Sequence, residues 1–242
     1  MVFIRYFYVQ ILQDLIMKTA IITGSSGNLG RAVVKKFLTE GYKVIGTDMH
    51  MHPDNVHDHF EHVTVDLTNE KDADNFISEV IKKNQAIDAA VLTVGGFAMG
   101  KIAETKIGDI KKQFLLNFET AYNTAKPIFL QMIKQNSGRI FMIGSRPGSD
   151  MKSSKGMVAY GITKSLIFRL AELMNEEAKG TNVITTVIVP STIDTPENRK
   201  AMPDVDSSKW VKPENIAAII YFYCSEPASV VREPVIKAYN NA

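Results

Sequence analysis

From residue 18 onward, short β-rich apolar runs alternate with longer stretches of helical periodicity, which constrains the fold more than any single residue. Thr19 to Thr23 is the first such run. In Asn28 to Glu40, Leu29, Val33, Val34, Phe37 and Leu38 recur on one helical face, and Gly41 ends the pattern. Further strands are expected at 43–48, 62–66, 88–94, 139–144, 182–189 and 234–239. Helices are expected at 68–84, with Thr68 or Asn69 as cap, at 108–135, from the segment carrying Tyr160 to about residue 179, and at 213–224. Strands separated by helices pair in parallel through right-handed crossovers, with helices on both faces. The expectation is a single α/β domain, a doubly wound parallel sheet in three α/β/α layers.

Bulk properties exclude several classes. The 242 residues suffice for one large core, and 45% hydrophobic with 22% charged residues argues against disorder. A formal charge of +2 gives no support for a nucleic-acid or acidic-membrane partner. Cys224 is the single cysteine, so no intrachain disulfide forms; it reads as a core residue, and a cytoplasmic protein is expected. Residues 1–16 are aromatic but too short and too broken by polar residues to span a membrane, and they lack a small-residue cleavage site. Met17 precedes the first strand directly, so residues 1–16 read as an extension and 17–242 as the domain.

Between the first strand and the first helix lies Thr23-Gly24-Ser25-Ser26-Gly27-Asn28-Leu29-Gly30. Three glycines there permit a tight turn and close backbone approach to a phosphate, and the helix N-terminus offers free N–H groups and a positive dipole end. The strand–turn–helix context makes this a candidate dinucleotide site on a Rossmann-type sheet. Asp48 ends the second strand, eighteen residues after Gly30; a carboxylate there accepts ribose hydroxyls and repels a 2′-phosphate, which favours NAD (NADH) over NADP. Asp66 and Leu67 after the third strand are candidates for holding adenine. Val94, Gly95 and Gly96 after the fourth let the backbone pass close to the cofactor.

Tyr160 and Lys164 stand four apart and share a helical face. A cation beside a phenol stabilises the phenolate and brings its pKa from about 10 towards the range useful for acid–base work. With the glycine turn, this pair makes the chain resemble the short-chain dehydrogenase/reductase family from Lys18 onward. The resemblance implies that Tyr160 exchanges a proton with the substrate, that Lys164 lowers its pKa and binds the nicotinamide ribose, and that Asn117 holds a relay water. It also implies that Pro190, Thr192 and Thr195 lie in the segment holding the nicotinamide carboxamide. Within the family, three stretches resemble the dihydropteridine reductase group: Val94-Gly95-Gly96-Phe97, the run Gly156 to Lys164, and Ile193-Asp194-Thr195-Pro196-Glu197-Asn198-Arg199-Lys200-Ala201-Met202-Pro203-Asp204, followed by Trp210. That likeness implies NADH-dependent reduction of a quinonoid dihydropterin, with the third stretch covering the nicotinamide and the pterin. It also implies pairing through the long helices, giving a homodimer or homotetramer.

One departure concerns Ser145, fifteen residues before Tyr160 and two more than the family spacing. Either the loop 146–156 holds two extra residues or Ser145 has no catalytic part. Two rival functions stand beside the pterin reading: reduction of another carbonyl, such as a 3-oxoacyl thioester, and a non-catalytic NAD sensor. His50, His52, His57, His59 and His62 fall within thirteen residues but read as a solvated loop, with no metal expected. Met49 and Met51 read as scattered gap-fillers, and Arg199 and Lys200 as solvated loop charges. Trp210 either packs the cover segment or anchors the late helix.

Overall fold

The computed structural model describes residues 17–50 and 57–241. The extension 1–16 and the loop residues Met51 and His52 lie outside the described residues. The described chain forms a seven-stranded sheet, every pairing parallel. In chain order the strands are β1 (Thr19–Thr23), β2 (Lys43–Asp48), β3 (Phe60–Thr64), β4 (Ala89–Leu92), β5 (Ser137–Ile143), β6 (Asn182–Pro190) and β7 (Val235–Ala238). Their spatial order is β3-β2-β1-β4-β5-β6-β7, so the chain reverses its direction of travel across the sheet at β1.

Alternation along each strand divides the core in two. Ala20 and Ile22 of β1, Ala89 and Val91 of β4, and Ile188 of β6 face α1 (Asn28–Thr39) and the later helix Pro213–Cys224. Ile21, Ala90, Leu92, Val187 and Val189 face α2 (Glu70–Asn84) and the long helices in the middle of the chain. Side-chain period 2 in the strands and 3.6 in the helices thus meet on both faces.

The region expected as one helix at 108–135 is three pieces: α3 (Ile107–Phe114), a π-helical turn Leu115–Glu119, and α4 (Thr120–Gln135). Asn117 lies in this wide turn and is 1% exposed. Two short helices escaped the sequence pattern, α5 (Arg146–Ser149) and α7 (Pro196–Ala201), each too short to show a period. Between them α6 (Val158–Glu177) carries Tyr160 and Lys164, and α8 (Pro213–Cys224) is where the periodicity placed it. The strand expected at 62–66 begins earlier, at Phe60, so His62 is a mid-strand residue rather than part of a solvated loop.

Of the two cap candidates for α2, Asn69 serves: its Oδ1 accepts from the Lys71 and Asp72 amides at 3.0 and 3.4 Å. The Thr68 hydroxyl instead donates to Asp66 Oδ1 at 2.6 Å. Asn69→Ala should destabilise the fold by about 1 kcal/mol in urea denaturation; an unchanged midpoint would mean that water satisfies the first-turn amides equally well.

Candidate active site

Because all strands run the same way, every loop that follows a strand emerges at one edge of the sheet, where such folds bind ligands. The glycine turn leaves β1 there. Gly24 adopts φ +65°, and a Cβ at that position would lie 2.5 Å from Thr93 Oγ1. At Gly30 a Cβ would lie 1.9 Å from the Gly24 carbonyl oxygen, so the helix can pack onto the turn only with glycine there. The first turn of α1 has no side-chain cap, in contrast to α2. Its leading amides therefore remain available to an anionic group.

Asp48 closes β2 beside this turn. Its Oδ2 accepts from the Ser25 hydroxyl at 2.7 Å and the Ser26 amide at 2.6 Å, which fixes the carboxylate against the glycine loop. Asp66 Oδ1 is engaged by the amide and hydroxyl of Thr68, and the Leu67 carbonyl accepts from Asn123 Nδ2 at 3.0 Å.

After β4, Val94-Gly95-Gly96 runs against the interior side chains. Asn117 accepts from the Gly96 amide at 2.9 Å and donates to the Gly96 carbonyl at 3.0 Å. Its Nδ2 also reaches Gln113 Oε1 at 2.9 Å and Thr163 Oγ1 at 3.3 Å. A Cβ on Gly95 would meet Asn117 Oδ1 at 2.7 Å and Lys164 Nζ at 3.2 Å, so only glycine lets the loop pass this close to the two side chains. These contacts, with the uncapped helix end and the held carboxylate, fit a dinucleotide laid from the glycine turn across the β4 loop.

Tyr160 and Lys164 share one side of α6. Lys164 is 6% exposed and donates to the Ile143 carbonyl at 2.8 Å. Burial lowers its pKa to about 8. Burial also raises the Tyr160 phenol above its ordinary value, and the Ser145 hydroxyl beside it acts in the opposite sense. Lys164 is held by the β5 carbonyl, and the group that opposes the rise of the phenol is Ser145. The two additional residues before Tyr160 are wound into α5 and a 3₁₀ turn, Met151–Ser154, so Ser145 reaches the phenol in spite of its spacing. Gly148 makes this possible: a Cβ there would come within 2.8 Å of the Lys164 backbone.

The segment after β6 is braced from within. Thr195 Oγ1 caps α7 by accepting from the Asn198 amide at 3.2 Å, Asn198 Nδ2 donates to the Ile193 carbonyl at 2.8 Å, and Arg199 grips Asp194 at 2.6 and 2.8 Å. Arg199 is therefore paired rather than simply solvated. Asn28 donates to Glu197 Oε2 at 2.7 Å, joining this segment to the start of α1. The Thr192 carbonyl accepts from the Val211 amide at 2.9 Å. Trp210 is buried and its carbonyl accepts from Asn240 Nδ2, which places it at the root of α8.

Two site neighbours, Gln113 and Arg146, lie outside the motifs of the sequence. Gln113 stands one helical turn before Asn117, and that i, i+4 spacing was the available clue. Arg146, stacked 4.6 Å from the Tyr239 ring, offered none, because β7 brings its partner from the far end of the chain. Cys224 packs in the α1–α8 core, where burial pushes its thiol up to about 12. Among the described residues, no group of three or more His, Cys, Asp or Glu side chains is arranged to hold a metal ion, and no helix is long and apolar enough to cross a membrane.

Residues 18–206 match the family model described as short chain dehydrogenase. The chain belongs to the short-chain dehydrogenase family. It is an oxidoreductase of NAD(P)-dependent type, with the Rossmann-like fold of that family. It is 26% identical over 207 residues to a dihydropteridine reductase of Dictyostelium discoideum, covering 84% of this chain and 86% of the relative. It is 25% identical over 232 residues to an acetoacetyl-CoA reductase of an Acinetobacter strain, covering 88% and 93%. Ligand-free aldohexose dehydrogenase of Thermoplasma acidophilum superposes with a TM-score of 0.82 at 25% identity, covering 95% of each chain.

The buried ammonium has a testable consequence in this dehydrogenase. Its folded pKa of about 8 lies below the ordinary 10.5, so between those values the unfolded chain binds the proton more tightly and stability rises with pH. Below pH 8 the ammonium is charged in both states, and its burial destabilises the fold in full. Lys164→Met should therefore stabilise the protein at pH 7 by about 1–3 kcal/mol, measured in urea, while abolishing turnover. The gain should shrink as pH approaches 10; a variant less stable than the parent at pH 7 would show that the Ile143 hydrogen bond outweighs the burial.

Proposed function

We propose that this chain is an NADH-dependent reductase of a flat conjugated substrate of the quinonoid dihydropterin class. The observation that supports this most is Phe97. Its ring is 62% exposed yet stands edge-on to Tyr160 with centroids 5.0 Å apart, so an apolar wall flanks the proton donor. A planar heterocycle entering between Phe97 and the cover segment can stack there while the phenol reaches its ring nitrogen. The likeness to a dihydropteridine reductase supports the same reading.

In this proposal Tyr160 gives the proton, Lys164 binds the nicotinamide ribose, and Asn117 holds the β4 loop and a relay water in place. Gly24, Ser26, Gly27, Asn28, Leu29 and Gly30 cradle the pyrophosphate, and Asp48 takes the adenosine ribose. Asp66, Leu67, Val94, Gly95 and Gly96 line the adenosine and ribose path, and Pro190, Thr192 and Thr195 face the nicotinamide. The bound reduced nicotinamide supplies the hydride. Asp48 favours NADH over NADPH because a 2′-phosphate would face its charge.

A second reading has its own support. The Ser145 hydroxyl beside Tyr160 suits a substrate carbonyl oxygen, and a relative reduces acetoacetyl-CoA. We therefore keep a 3-oxoacyl thioester as the rival substrate. We also propose a cytoplasmic homodimer or homotetramer, paired through α4 and α6, where Tyr122, Leu130, Ile162 and Leu173 are exposed. Sedimentation velocity would show it, and a monomer at micromolar concentration would overturn it.

The deciding assay is NADH oxidation with quinonoid dihydrobiopterin and with acetoacetyl-CoA, NADPH run in parallel. Turnover of the pterin with NADH is expected. Phe97→Ala should raise the pterin KM about tenfold and leave kcat largely intact. Tyr160→Phe should lower kcat by about a hundredfold or more with NADH binding retained. Turnover of the thioester alone would select the rival.

A further inference from the structure

His62 stands in the middle of β3, and its side chain is 9% exposed. Both ring nitrogens are buried, and neither has a hydrogen-bond partner among the described residues. Its Nε2 points at Asp48 Oδ2 from 3.8 Å, too far for a hydrogen bond. The carboxylate does not close that gap, because the Ser25 hydroxyl and the Ser26 amide hold the same oxygen. Gly46 lies opposite His62 in the ladder and brings no side chain into the space. Phe60 backs the imidazole, ring centroids 6.5 Å apart, and offers no acceptor. Buried polar groups are almost always paired, so an imidazole in this position is built for a partner that arrives from outside.

We propose that His62 is a coenzyme-selecting residue: with Asp48 it holds the 2′-hydroxyl of the adenosine ribose. The inference rests on the dinucleotide reading of this site and adds a residue to it. Two atoms 3.8 Å apart can share one oxygen about 2.8 Å from each, and because Nε2 is buried the imidazole has to turn towards the ribose side as that oxygen docks. A hydroxyl is the group that suits both neighbours, since it donates its proton to the carboxylate and accepts from Nε2–H. A 2′-phosphate ester at neutral pH has no proton to spare for Asp48 and sets charge against charge. The imidazole and the carboxylate thus read the same atom from two sides.

The test uses the adenosine end alone. ADP and 2′-deoxy-ADP are titrated calorimetrically into the parent protein, His62→Leu, His62→Asn and His62→Gln. The parent should bind ADP about five- to tenfold tighter than 2′-deoxy-ADP. His62→Leu and His62→Asn, the latter too short to reach, should bind ADP about fivefold more weakly and 2′-deoxy-ADP as before, so most of the discrimination disappears. His62→Gln keeps a donor and should keep most of it. If His62→Leu fails to fold, His62→Asn carries the same expectation. Equal weakening of both nucleotides would reduce His62 to a packing role and overturn the proposal, as would undiminished discrimination without the imidazole. A parent that binds neither nucleotide would remove the dinucleotide reading itself and this inference with it.

Discussion

The Asn117 carboxamide bonds both the N–H and the C=O of Gly96, and the geometry of the site depends on that pairing. A buried amide satisfied on both ends cannot rotate without orphaning several partners. It fixes the backbone of the β4 loop against the helical region that contains it, and through Thr163 against α6 as well. The π-helical turn Leu115–Glu119 has Asn117 at its centre. Gln113, one turn earlier on the same helical face, is buried with it, and the two side chains are hydrogen-bonded to each other. One side chain thus joins the β4 loop, the helical region 107–135 and α6.

Lys164 shows how far the fold gives up stability at this place. Its ammonium sits among backbone atoms, with the Ile143 carbonyl as its hydrogen-bond acceptor and no carboxylate in ion-pair contact among the described residues. Such a cation is costly in an interior unless a partner with hydrogen-bonding oxygens comes to it. Gly95 leaves the approach to the ammonium open, since a side chain there would stand 3.2 Å from Nζ. The uncapped end of α1, the His62 imidazole and the buried Lys164 share one character: each is a polar group that no side chain among the described residues fully satisfies.

The strands were legible in the sequence because burial on both faces leaves continuous apolar runs, and β1, β2 and α8 fall where periodicity placed them. The glycine turn, Asp48, Tyr160 and Lys164 were legible because each depends on spacing within one local unit. What the sequence hid depends on distance along the chain. Ser145 looked out of register by two residues, yet α5 winds up the excess, and nothing in a linear count of residues shows that a loop will coil instead of lengthening the path. His62 read as one of five histidines in a loop, but the ladder with β2 turns it towards Asp48, and a pairing register is not written in either strand alone.

The segment after β6 is built on a different principle from the glycine turn and the β4 loop. Glycines and buried amides hold the coenzyme edge, and most of their hydrogen bonds reach across from one element to another. The cover segment instead braces itself: Thr195, Asn198, Asp194 and Arg199 bond to one another within a few residues. Its ties to the rest of the chain are few, among them Asn28 to Glu197 and the ladder-like contact of Ile193 with Val211. Phe97 and Met99, exposed across the cleft, are apolar and carry no hydrogen bonds that must be preserved. Under the proposed function, changes at Phe97 would thus alter substrate affinity while leaving the Asn117 and Lys164 contacts undisturbed.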